Sequence, residues 1–61
     1  MKTSVTKLKR GDKVNMHEWG LYTVRSITKY KYEHLIEVFY DTASGVTSVL
    51  YNADLDAVEV I

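Results

Sequence analysis

The sequence has no cysteine and no proline, and only three glycines among its 61 residues. Without cysteine there is no disulfide to brace the fold and no thiolate to hold zinc. Without proline, and with so little glycine, it does not have the composition of a linker or a disordered tail. No run approaches the ~20 apolar residues that a membrane-spanning helix needs. The opening stretch, residues 1–13, lacks the apolar segment of a secretory signal, so the expected location is cytoplasmic and no membrane partner is expected. No glycine-rich phosphate loop is present. His17 and His34, the only histidines, are 17 positions apart with no ligand spacing, and neither a metal nor a cofactor is expected. Sustained helical periodicity is absent as well.

What remains is β-branched and aromatic. Eight valines, three isoleucines and five tyrosines favour a pleated, half-buried surface. One domain spanning 1–61 is all that this length allows, and a chain so short buries only ~60% of its unfolded surface. Val5 and Leu8 precede a Gly11-Asp12 turn. Lys13 to His17 alternates, with Val14 and Met16 on one face, and Glu18-Trp19-Gly20 breaks it. Leu21 to Tyr32 is a long β-rich run. Val24 and Ile27 are three apart, so a bulge at Arg25-Ser26 is needed to bring both inward. Lys29 to His34 forms the tip of a protruding hairpin. Leu35 to Tyr40 is a strand, with Ile36 and Val38 on one face and Leu35 and Phe39 on the other. Asp41 to Gly45 is a hairpin loop with a left-handed glycine. Val46 to Tyr51 is the next strand. Asn52 to Leu55 is expected to form a 3₁₀ turn before a last strand, Ala57 to Ile61. The expected architecture is all-β, with five strands and a short 3₁₀ turn before the last.

This layout resembles an SH3-like small β-barrel, of the kind seen in KOW and Tudor-type modules. The residues that carry the resemblance are Lys9-Arg10-Gly11-Asp12-Lys13-Val14, then Trp19 to Ile27, and finally Tyr51 to Val60. The resemblance implies that the first and last strands are neighbours. Lys7, Lys9 and Lys13 would then lie beside Asp56 and Glu59. It also suggests a small accessory or regulatory protein of bacterial or phage type.

The formal net charge is zero, but it is unevenly spread: +4 over residues 1–15, +1 over 16–34 and −5 over 35–61. Such asymmetry marks either an oriented binding surface or two ends that neutralise each other in the fold. A barrel this small fills its interior with side chains and has little room for a water-excluding pocket, so no catalysis is expected. The aromatic set points instead to binding. Tyr30 and Tyr32 alternate with Lys29 and Lys31. They form a recognition edge, or they merely cover the barrel's outside. Trp19 either joins that edge or plugs the core. The main expectation is a non-catalytic module docking on another protein through Trp19, Lys29, Tyr30, Lys31, Tyr32 and His34. An exposed edge strand would also allow pairing with a partner or a second copy. The alternative is nucleic-acid binding. Lys7, Lys9, Arg10, Arg25, Lys29 and Lys31 would then contact phosphates, and Tyr30 and Tyr32 would stack on bases. A third possibility is a Tudor-type aromatic cage for a methylated cation.

Overall fold

The computed structural model describes residues 1–31 and 34–61. It is mostly β, with no α-helix among the described residues. In chain order the strands are β1 (Lys2–Ser4), β2 (Lys13–Asn15), β3 (Leu21–Tyr30), β4 (Leu35–Thr42), β5 (Gly45–Asn52) and β6 (Ala57–Glu59). No helix is long and apolar enough to cross a membrane.

Two antiparallel sheets form. The larger follows chain order, β2-β3-β4-β5, and the smaller pairs β1 with β6. Lys2 lies opposite Glu59, and Ser4 opposite Ala57. One bridge, Val14 to Val60, ties the two sheets together, and the Ile61 N–H donates to the Lys13 carbonyl at 2.9 Å beside it. The five-strand expectation is therefore corrected to six, because the segment before Val5 forms a strand of its own. That strand exists only through its pairing with β6, some fifty-five positions away, so no local pattern announces it.

The bulge falls where the hydrophobic spacing requires it. The β3–β4 register shifts between Val24 and Ser26, Val24 is buried, and Ile27 packs against the core. Gly45 adopts φ 122° and starts β5 directly after the Ala43-Ser44 turn. The 3₁₀ prediction is misplaced. The two 3₁₀ turns are Val5–Lys7 and His17–Trp19. Three residues per turn puts Val5 and Leu8 on one side, and both are buried. Asn52 to Leu55 is instead a wider turn. The Asp56 N–H donates to the Asn52 carbonyl at 3.0 Å, and the Asn52 side-chain oxygen accepts from the N–H groups of Asp54 (2.8 Å) and Leu55 (3.1 Å).

The core lies between the inner face of the large sheet and the β1–β6 ribbon. It comprises Val5, Leu8, Val14, Val24, Ile36, Val38, Tyr40 and Val58. Tyr40 is fully buried, and its hydroxyl has one partner, the Tyr51 hydroxyl at 2.7 Å. Burial first, then that bond, pushes the Tyr40 phenol well above the usual range. Burial also raises Tyr51. The Tyr22 ring packs against Tyr40 at 5.5 Å, tilted by 55°.

Candidate functional site

Opposed residues in an antiparallel pair share a face, so the register sorts the large sheet into two surfaces. The inner rows are Val24 with Tyr40, Ile27 with Val38 and Val49, and Ile36 with Tyr51. The outer rows are Thr23-Asp41-Val46, Ser26-Phe39-Ser48, Thr28-Glu37-Leu50 and Tyr30-Leu35-Asn52. An antiparallel sheet with one solvated face is usually polar on that face. This one is not. Val46 is 56% exposed, Leu50 58% and Tyr30 45%. Phe39 and Leu35 are half-buried beside them.

Glu37 sits among the apolar members of this face, between Leu35 and Phe39 along β4 and opposite Leu50. One carboxylate oxygen accepts from the Tyr30 hydroxyl at 2.8 Å, and the other from the Ser48 hydroxyl at 3.0 Å. The bond to Glu37 is the main cause of a Tyr30 phenol held above its ordinary range. That bond leans the Tyr30 ring from β3 toward β4. At the other end of the face, Arg25 pairs with Asp41 at 2.9 Å, both half-exposed.

The residues singled out from sequence do not form one surface. Trp19 and Tyr30 lie at opposite ends of β3, a ten-residue strand of roughly 30 Å at about 3.3 Å per residue. Trp19 is 72% exposed, so it does not plug the core. It lines a shallow recess with Leu21, Tyr22 and the Thr42–Ser44 turn. At the tip, Lys29 lies in the row of Ile36 and Tyr30 in the row of Leu35, so lysine and tyrosine leave opposite faces. Lys31 and His34 are exposed. His34 adopts φ 52°, and its Nδ1 is 3.6 Å from an Asp54 carboxylate oxygen. Tyr32 lies outside the described residues.

The basic residues also divide. Lys7 ends the first 3₁₀ turn, and Lys9 and Arg10 lead into the Gly11 turn. Lys29 and Lys31 belong to the far end of β3. Arg10 and Arg25 share one shallow recess, but Asp41 lines it too and is paired with Arg25. The expected neutralisation of Lys7, Lys9 and Lys13 by Asp56 and Glu59 is replaced by other contacts. Glu59 faces Lys2 and stands 3.7 Å from the Met1 amine. The Asp56 carboxylate accepts from the Asn52 N–H at 2.7 Å. Among the described residues, no group of three or more His, Cys, Asp or Glu is placed to hold a metal ion.

Sequence reasoning overlooked the outer face of β4 and β5. A signal was available: residues 42–53 carry no charge at all. Comparison with protein-family models, with curated proteins and with solved structures finds no match.

Proposed function

We propose that this chain is a non-catalytic binding module that docks on another protein, built as an SH3-like small barrel. The meander β2 to β5, followed by a turn and a last strand returning beside β2 through the Val14–Val60 bridge, supports the barrel reading. The observation that carries the docking reading is the solvent face of β3 and β4, where Tyr30, Leu35 and Phe39 surround Glu37. Rigid aromatic and aliphatic groups with one anchored acceptor suit a partner that brings apolar side chains and a single donor. The recesses elsewhere on the surface are open to solvent, which suits binding better than chemistry that must exclude water.

The test immobilises the chain and captures partners from host lysate, with and without nuclease. A protein held in both arms is expected. Phe39→Ser and Tyr30→Ala should each weaken its capture by about tenfold, which is about 1.4 kcal/mol, while Trp19→Ala leaves it unchanged. Circular dichroism of each variant checks the fold. Capture that vanishes with nuclease favours the nucleic-acid alternative. Such binding should also fall steeply with salt, by about 0.9 in log affinity per duplex phosphate contacted per log unit of salt. Capture that survives Phe39→Ser removes the proposed face.

A further inference from the structure

Strand β5 is one edge of the large sheet; β2 is the other and is bridged to Val60. It is eight residues long and its register with β4 is unbroken. Natural edges are usually short, bulged, charged or interrupted by proline. This one has none of those protections, since residues 42–53 contain no charge and no proline.

The hydrogen-bond alternation identifies which backbone groups face outward. The Ala53 N–H donates to the His34 carbonyl at 2.7 Å, which makes 34 and 53 a bonded pair. Bonded pairs recur every second residue along an antiparallel ladder. Thr47, Val49 and Tyr51 therefore spend their backbone groups on β4, and Val46, Ser48, Leu50 and Asn52 point theirs away. Asn52 is already occupied: its N–H goes to the Asp56 carboxylate at 2.7 Å and its carbonyl accepts from the Asp56 N–H at 3.0 Å. Val46, Ser48 and Leu50 are left, each exposed, each offering one N–H and one C=O.

We propose that β5 pairs antiparallel with β5 of a second copy of this chain, about a two-fold axis at Ser48. In that register Ser48 faces its own counterpart, and Val46 faces Leu50 of the other copy on both sides of the axis. All three residues then exchange both of their backbone bonds. A shift by one bonded pair in either direction leaves one residue of each edge unmatched. The side chains agree with the backbone, because the outward set reads apolar, serine, apolar in either direction. Charge agrees as well. The segment carries none and the whole protein is formally neutral, so two copies approach without repulsion. The contact is isologous and closes on itself, which prevents growth into a fibre. It uses the outward backbone of β5, whereas the docking reading uses side chains of β3 and β4, although Ser48 touches both through its bond to Glu37.

The test is sedimentation of the purified protein from micromolar to millimolar concentration, together with single-cysteine crosslinking. The chain has no cysteine of its own, so each variant has one thiol. Bonded antiparallel partners are about 5.5 Å apart between Cα atoms, inside the ~4.4–6.8 Å range of disulfides. Wild type should become dimeric at high concentration. Ser48→Cys should crosslink under mild oxidation at least about tenfold faster than Thr28→Cys, which is exposed but two strands from β5, through the higher effective concentration of the facing thiol. Ser48→Lys puts like charges opposite each other and should remain monomeric. A wild type that stays monomeric to millimolar concentration overturns the proposal. So does equal crosslinking of the two cysteine variants, whatever the behaviour of the docking face.

Discussion

The hydroxyl pair between Tyr40 and Tyr51 permits a directional test of how the core is held. Tyr40 is wholly buried, and its hydroxyl is satisfied by Tyr51 at 2.7 Å. Tyr51 is only half-buried, so its hydroxyl has a route to water. The two deletions should therefore not be equivalent. Tyr40→Phe removes a buried polar group, and Tyr51 turns to solvent for a net loss of about 0.5–1.5 kcal/mol. Tyr51→Phe instead strands the Tyr40 hydroxyl in the core, which costs about 1–3 kcal/mol. The double variant removes both polar groups and should lose less than the sum, leaving a coupling of about 1 kcal/mol. A domain of this length is stable by only about 3–9 kcal/mol, so each change is a sizeable fraction. Urea melts read by tryptophan fluorescence or circular dichroism give the four free energies. Thermal melts should show shifts of about 4–8 °C per kcal/mol. Equal losses from the two single changes, with an additive double, would refute the reasoning and leave ring packing alone as the role of Tyr40.

The same phenols fix the behaviour in alkali. Both are raised in the fold, chiefly by burial, so stability is intact below the unfolded tyrosine value of about 10 and declines as pH climbs beyond it. The slope should approach about 1.4 kcal/mol per pH unit for each tyrosine that ionises only on unfolding, and Tyr40→Phe should flatten it in pH-dependent urea melts. Val38→Ala, at a fully buried site, should cost about 2 kcal/mol from lost methyl burial and the cavity left behind. Asp41→Asn breaks only an exposed pair with Arg25 and should change the urea midpoint by less than about 1 kcal/mol equivalent. His17 adopts φ 55°, and its N–H is held by the Asn15 side chain at 2.8 Å. His17→Gly keeps that bond and relieves the left-handed backbone, so it should be neutral or stabilising by up to about 1 kcal/mol, and a clear loss in the melt would count against it.

The central meander was legible because its clues are local. The three-residue step from Val24 to Ile27 demanded a bulge, which is present; Gly45 has the positive φ expected of it, but the loop is only Ala43-Ser44, because Asp41 and Thr42 continue β4 and Gly45 opens β5. The first strand was not legible, because three residues with no alternation become a strand only when β6 arrives from the other end of the chain. The sidedness of β5 was also hidden. Val46 and Leu50 alternate on one face while Val49 and Tyr51 alternate on the other, so composition alone does not say which pair meets the core. Trp19 was ambiguous for a related reason, since a tryptophan before a glycine suits a plug or a rim equally well. The expected grouping of Trp19 with the hairpin tip fails on distance, because the same long strand that links them also separates them.

In the pairing of β1 with β6, Lys2 stands against Glu59, and the Met1 carbonyl accepts from the Val60 N–H at 2.8 Å. The first and last residues of this unit therefore lie side by side. Joining the two tips with a brief spacer and opening the backbone between Ala43 and Ser44, at an exposed turn, should yield a rearranged molecule with the same architecture. The same closeness lets the whole unit be grafted into a surface bend of a host protein without prising that bend apart.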